Sequence, residues 1–271
     1  FLIDNNVLKT IVDTADIKRG DRVLEVGPGL GVLTRELLDR GAEVVAIEKD
    51  HRFVDYLNLS LIRANKRMIQ GDAATVHWHD LVGEAPWKFV SNLPYSITSL
   101  ALRKALWEPR PPEKIVVLVQ REVAERAISV GAGFSRPGAE TAPLRKHGKT
   151  SLLSLMVALS SSSARIVKRV ARGAFFPAPK VESAILEIIP MSWEEREKRW
   201  GISPDKIMEV AKKGFAHPRK FLKSNLQSVG AYGDTPGAHY HAPLQEIGIS
   251  EKARAEDLSP DDWARLAKTI V

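Results

Sequence analysis

Arg22-Val23-Leu24-Glu25-Val26-Gly27-Pro28-Gly29-Leu30-Gly31 decides the fold. Residues 22–26 read as a buried strand, and the chain then breaks into alternating glycines. Leu33, Leu37 and Leu38 follow at helical spacing, and Gly41 closes that helix. Val44-Val45-Ala46-Ile47 is a second strand with Glu48 at its carboxyl end. The alternation continues with a helix over 51–62, a strand at 67–69 ending in Gly71-Asp72, and a short strand at Phe89-Val90 ending at Asn92. A helix over 98–106, a strand over 115–119 and a helix over 121–128 come next. Upstream, Asn5 or Asn6 is placed to cap a helix carrying Val7, Leu8, Ile11 and Val12. Strands alternating with helices imply an α/β fold, with a parallel sheet covered on both faces. Residues 164–170 and 184–189 read as paired strands closing this half.

After Pro190 the strand signals stop. Residues 192–200 are highly charged, Ser203-Pro204-Asp205 opens a helix, and 218–226 reads as another. Ser259-Pro260-Asp261-Asp262 combines an N-cap, a proline at the first helical position and an acid at the third, ahead of Trp263, Leu266 and Ala267. The spacing predicts two domains, an α/β domain over 1–190 and a small helical domain over 191–271. Residues 130–150 hold four Gly and two Pro with little apolar periodicity and read as a long loop, as do the Gly-, Pro- and His-rich residues 230–243.

Composition narrows the chemistry. With no cysteine, disulfides, thiolate catalysis and Cys-ligated metals are excluded. His77 and His79 flank Trp78, and His239 and His241 flank Tyr240, but no third ligand joins either pair, so no metal site is expected. No apolar run reaches membrane-spanning length, and Phe1-Leu2-Ile3-Asp4 does not open an export signal, so a cytoplasmic chain is expected. Forty Lys and Arg against 33 Asp and Glu give a net charge of +7, which favours an anionic partner.

A glycine-rich turn between the first strand and its helix lets a ligand approach the backbone closely. A dinucleotide fingerprint needs Gly-x-Gly-x-x-Gly, and Val32 stands at the sixth position, so the spacing suits a cofactor without a pyrophosphate. Glu48 is placed to accept hydrogen bonds from ribose hydroxyls, and Asp72, in Gly71-Asp72-Ala73, from an adenine amine. Each group lies at a strand's carboxyl end, where open α/β sheets bind their ligands. Asn92-Leu93-Pro94-Tyr95 ends the fourth strand. An amine conjugated to a ring is a poor nucleophile. The Asn92 carbonyl and a backbone carbonyl can accept both its hydrogens and free its lone pair, while Pro94 stiffens the turn and Tyr95 stacks on a purine.

At these residues the chain resembles the KsgA family, the small-subunit rRNA adenine N6-dimethyltransferases with erythromycin-resistance and mitochondrial relatives. The resemblance runs almost end to end. Phe1 to Asp4, Glu25 to Gly31, Glu48, Gly71-Asp72, Asn92 to Tyr95 and Gln120 to Arg126 all match family segments. Phe175-Phe176-Pro177-Ala178-Pro179-Lys180-Val181-Glu182-Ser183 matches the family's Phe-x-Pro-x-Pro-Lys-Val-x-Ser string. Phe215 to Leu226 and Gly248 to Ser259 resemble the ribosome-assembly branch, with Pro218 in place of one Arg and residues 130–150 in place of a compact segment.

The resemblance implies a Rossmann-like class I methyltransferase domain with S-adenosyl-L-methionine as cofactor. It carries cofactor binding onto Leu2, Glu25, Gly27, Gly29, Gly31, Glu48, Lys49, Asp72, Ala73 and Asn92. Catalysis falls to Asn92, Leu93, Pro94, Tyr95 and Phe175, with Tyr95 and Phe175 sandwiching a flipped adenine. Two runs lack acids, one with Arg165, Lys168, Arg169, Arg172 and Lys180, the other with Arg219, Lys220 and Lys223, and these are expected to meet RNA phosphates. The expected partner is the small ribosomal subunit, methylated on two adjacent adenines near the 3′ end of 16S rRNA by a monomeric enzyme. The rival readings are a large-subunit rRNA methyltransferase of the resistance type, a non-catalytic assembly factor and a small-molecule N-methyltransferase.

Overall fold

A computed structural model describes residues 1–61, 65–130, 149–228, 244 and 246–270. The loops expected at 130–150 and 230–243 therefore lie almost wholly outside the described residues. The strands are β1 Arg22–Val26, β2 Glu43–Glu48, β3 Lys66–Gln70, β4 Trp87–Asn92, β5 Lys114–Gln120, β6 Ser161–Val170 and β7 Ser183–Pro190. They form one seven-stranded sheet in the order β3-β2-β1-β4-β5-β7-β6. β1 to β5 pair in parallel, and β7 runs antiparallel to β5, with Gln120 opposite Ser183. The strand order reverses between β1 and β4, which opens a crevice at their carboxyl ends.

The helices are α1 Asn5–Ala15, α2 Val32–Asp39, α3 His51–Ser60, α4 Trp78–Val82, α5 Thr98–Leu106, α6 Arg121–Ala127, α7 Leu152–Ser160, α8 Trp193–Trp200, α9 Pro204–Gly214, α10 Leu222–Ser228 and α11 Pro260–Ile270. Val7, Leu8, Ile11 and Val12 of α1 pack with Val23, Val44, Ala46, Val90, Val116 and Leu118, an alternating set that belongs to one face of the sheet. Residues 115–119 of β5 are all fully buried, as a strand covered on both faces requires. The α1 cap is Asp4 and not Asn5 or Asn6, because its carboxylate accepts from the amides of both Asn6 and Val7.

The chain divides into two compact units, Phe1–Glu125 with Ser162–Met191, and Arg126–Ser161 with Ser192–Val271. A single cut near 190 does not describe this division, since the second unit also takes α7. That helix shows no amphipathic period because it is buried on every side from Leu153 to Ser160, so sequence periodicity gives no sign of it. Within the second unit, Trp200 Nε1 donates to the Leu159 carbonyl (2.9 Å), and the Phe215 and Trp263 rings stack at 5.6 Å.

The charged residues 192–200 form α8, held by reciprocal Ser192–Glu195 capping. Ser259 and Asp262 cap α11 in the same way, as their spacing predicts. α10 starts four residues later than the sequence suggests. Residues 217–220 form a turn, where Asn225 Nδ2 donates to the carbonyls of Gly214 (2.6 Å) and His217 (3.0 Å).

Gly214 sits where a Cβ would meet the Trp263 ring at 2.4 Å and Leu222 at 2.8 Å. Gly214→Ala is expected to destabilise the second unit by about 1–3 kcal/mol through overpacking, measured as a lower urea midpoint followed by tryptophan fluorescence. An unchanged midpoint would mean that α9, α10 and α11 are loosely packed.

Candidate active site

The crevice holds a pocket of about 330 Å³. The Gly27–Leu30 turn lines one side, the Asn92–Tyr95 turn faces it, and Phe1, Leu2, Glu25, Phe175, Pro177 and Pro179 complete the wall. Local bonding fixes both turns. The Gly27 amide donates to the Ile47 carbonyl (2.8 Å), and the Leu93 amide to the Leu118 carbonyl (3.1 Å). Buried Ser91 donates from Oγ to the Val26 carbonyl (2.7 Å), tying the end of β4 to the end of β1. Gly27 has φ +71°, and a Cβ there would lie 2.9 Å from Pro94 Cγ, so only glycine lets the two turns meet this closely.

All five residues to which the sequence assigns catalysis, Asn92 to Tyr95 and Phe175, line this pocket. So do Leu2, Glu25, Gly27 and Gly29. Gly31 does not; it precedes α2 at φ +75°, where a Cβ would strike Leu57 at 2.3 Å, so its place is in the packing of α2 on α3. Glu48, Lys49, Asp72 and Ala73 stand at and after the ends of β2 and β3, outside the pocket wall. The Glu48 carboxylate accepts from the amides of Gly29 (3.2 Å), Lys49 (2.8 Å) and Asp50 (3.0 Å), clamping the glycine turn to the end of β2. Asp72 accepts from the Ala74 amide (2.8 Å) and from Lys49 Nζ (3.0 Å), and both contacts hold its pKa below the usual carboxylate value. Asn92 makes no side-chain hydrogen bond among the described residues, and its amide is available to a ligand.

Three further residues support the wall although the sequence assigns none of them a site role. Tyr95 Oη and Ser183 Oγ share a hydrogen bond of 2.7 Å, and Ser183 is fully buried at the start of β7. Ser183 closes the nine-residue Phe175–Ser183 string, which is the signal that points to it. Thr34 Oγ1 donates to Glu25 Oε2 (2.7 Å), a contact between β1 and α2 that no motif announces. Phe1 packs edge-on against Phe53 at 5.9 Å, and its backbone pairs with Phe176.

Glu25 is the electrostatic anomaly. Burial pushes its pKa up to about 8, against the Thr34 hydrogen bond, and the neighbouring Glu48 charge adds to the rise.

The family model for ribosomal RNA adenine dimethylase matches residues 1–271. The chain belongs to the ribosomal RNA adenine dimethylase family. Curated relatives agree. The ribosomal RNA small subunit methyltransferase A of Dehalococcoides mccartyi is 36% identical over 269 residues, covering 98% of this chain and 84% of its own. Its namesake in Streptococcus equi subsp. zooepidemicus is 34% identical over 278 residues, covering 100% and 89%. Among solved structures, the 23S rRNA methyltransferase ErmE is 25% identical with a TM-score of 0.66, covering 100% of this chain and 99% of its own. A dimethyladenosine transferase from Plasmodium falciparum has a TM-score of 0.72 at 24% identity, covering 98% and 95%, and shares the fold. The first unit is thus a Rossmann-like class I methyltransferase domain, and this member of the dimethylase family is an S-adenosylmethionine-dependent enzyme acting on rRNA adenine.

The pocket fits that cofactor. Its glycine cradle would be filled by a Cβ at Gly27, and the buried Glu25 carboxyl offers a partner to a cationic amino group. The positive residues divide into two kinds. Arg165 pairs with Glu187, Arg169 with Glu125 (3.3 Å) and Lys223 with Glu251 (2.9 Å). Lys168, Arg172, Lys180, Arg219 and Lys220 are exposed and make no ion pair among the described residues. No helix among the described residues is long and apolar enough to cross a membrane.

The raised Glu25 pKa sets the sign of a pH effect. The unfolded chain releases this proton near pH 4.5, while the folded chain keeps it to about pH 8. The Glu25 contribution to stability therefore falls as pH rises between those values and is level above them. Glu25→Gln keeps the acceptor for Thr34 and is expected to flatten this part of the stability–pH curve of the ligand-free enzyme, read by urea denaturation from pH 5 to pH 9. An equal slope in both proteins would mean that Glu25 is already ionised at neutral pH.

Proposed function

We propose that this enzyme dimethylates N6 of two adjacent adenines near the 3′ end of 16S rRNA, within a small subunit under assembly, as a cytoplasmic monomer. The observation that carries the reading is the Asn92–Tyr95 turn, held against the glycine cradle with an unpartnered Asn92 amide. When bound, S-adenosylmethionine supplies an electrophilic methyl group. The protein's part is to hold the acceptor. Asn92 Oδ1 and the Leu93 carbonyl accept the two N6 hydrogens, which draws the nitrogen out of conjugation and frees its lone pair. Tyr95 and Phe175 sandwich the flipped base, and Pro94 fixes the angle of the turn. Glu25, Gly27, Gly29, Leu2 and Glu48 hold the cofactor side, with Asp72 and Lys49 at its adenine end. Positioning does most of the work, because the methylated nitrogen is acidic enough to lose its proton to water without a strong base.

The presence of a helical C-terminal unit does not by itself separate the small-subunit from the large-subunit branch, since ErmE covers 100% of this chain. The curated relatives named small subunit methyltransferase A, at 34–36% identity over almost the whole chain, favour the former. Radiolabelled methyl transfer to small subunits lacking dimethyladenine, beside naked large-subunit rRNA, tests the choice by nucleoside analysis. Dimethyladenine on the small subunit alone is expected. Label on the large-subunit RNA would move the enzyme to the resistance branch, and no label on either would leave a binding role. Asn92→Ala should lower turnover about a hundredfold, the scale of a misplaced acceptor, with cofactor affinity within a few-fold of wild type. Full turnover in this variant would remove Asn92 from the chemistry.

Ser183 acts as a positioning residue through the Tyr95 hydroxyl. Ser183→Ala and Tyr95→Phe are each expected to lower single-turnover methylation about tenfold, and the double variant no further, because both cut one hydrogen bond. Additive losses would show that the two hydroxyls act independently.

A further inference from the structure

Phe176 carries no part of the reaction described above. Its two neighbours in sequence, Phe175 and Pro177, line the pocket, but Phe176 does not. Phe175 has an extended backbone at φ −127° and ψ 151°, so successive side chains leave on opposite sides. Phe175 is accordingly 8% exposed and Phe176 71% exposed. A lone exposed phenylalanine would need no explanation. This one is held in place. The Phe176 amide donates to the Phe1 carbonyl (2.8 Å), the Phe1 nitrogen donates to the Phe176 carbonyl (2.8 Å), and the Ile3 amide donates to the Ala174 carbonyl (2.8 Å). Phe1 and Leu30, themselves partly exposed, continue the apolar rim into the pocket.

Charge supplies the second half of the argument. Arg172 and Lys180 lie four residues either side of Phe176, both exposed, and neither meets a carboxylate among the described residues. An exposed aromatic ring on an anchored backbone, flanked in sequence by unpaired cations, suits a single-stranded nucleotide, whose base stacks on the ring while its phosphates meet the cations. A protein partner or a lipid surface would draw no particular advantage from one planar ring at the edge of a base-binding pocket.

We propose that Phe176 is a stacking platform for the nucleotide next to the target adenine, with Arg172 and Lys180 holding the phosphates on either side. The platform keeps the neighbouring base out of the pocket while the target base enters it, and so sets which of two adjacent adenines is methylated. This rests on the RNA-methylating reading above.

The test uses the full chain and RNA oligonucleotides carrying two adjacent adenines, with 2-aminopurine or an abasic residue at the position beside the target. Wild type should quench the 2-aminopurine on binding and bind the abasic RNA about tenfold more weakly, the factor that a stack of about 1.4 kcal/mol produces. Phe176→Ala should lose the quenching, bind the unmodified RNA about tenfold more weakly and show no further penalty for the abasic residue. Phe176→Trp should restore both. Cofactor affinity and melting temperature should match wild type, since the ring is exposed. An abasic penalty that persists undiminished in Phe176→Ala, or a loss seen only with intact subunits and not with RNA alone, would overturn the platform. If wild type leaves small subunits as well as these oligonucleotides unmethylated, the RNA-methylating reading falls and the platform with it.

Discussion

The site depends on one close approach, that of the Gly27 backbone to the Pro94 ring. β1 and β4 are neighbours at the point where the strand order reverses, so the turns that leave them compete for the same space. A side chain at Gly27 would lie 2.9 Å from Pro94 Cγ, and no ordinary carbon contact is that short. Without it, the glycine turn after β1 and the Asn92–Tyr95 turn after β4 form opposite walls of one pocket. The Ser91–Val26 and Leu93–Leu118 bonds then fix the Asn92–Tyr95 turn, and the Gly27–Ile47 bond fixes the glycine turn. A direct displacement needs little else from a protein, because its rate is governed by alignment of the two reacting atoms.

Two carboxylates support this geometry in different ways. Glu48 uses its charge on three backbone amides and holds the glycine turn in shape. Glu25 is buried beside the same turn with Thr34 as its hydrogen-bond donor, and burial pushes its pKa up to about 8. A buried acid that stays neutral leaves no uncompensated charge in the pocket wall.

Much of this was legible in the sequence, for physical reasons that can be named. The parallel sheet reads clearly because β1, β2 and β5 are apolar runs bounded by turn residues, and the Asn92–Tyr95 and Phe175–Ser183 strings point to the residues that line the pocket. What periodicity could not reveal are the elements without a two-sided environment. α7 is buried all round, and the inner side of α8 is marked only by Trp193, Arg196 and Trp200, a stripe whose central residue is charged. The partition of the chain followed α7, since a helix apolar on every side must be enclosed by other helices, here α8, α9 and α11. Contacts across distant segments were equally silent: nothing in the sequence near Tyr95 names Ser183, and nothing near Glu25 names Thr34.

Charge gives the clearest case of sequence and space disagreeing. The run from Arg165 to Lys180 contains no acid, which suggests a uniform cationic strip. β6, however, runs beside β7, and Glu187 reaches Arg165, while Glu125 of α6 reaches Arg169. What remains unpaired is Lys168, Arg172 and Lys180. Arg172 and Lys180 flank the segment that carries Phe175 into the pocket. Free positive charge therefore lies not along the strip as a whole but on the residues that bracket the Phe175 segment and on Lys168.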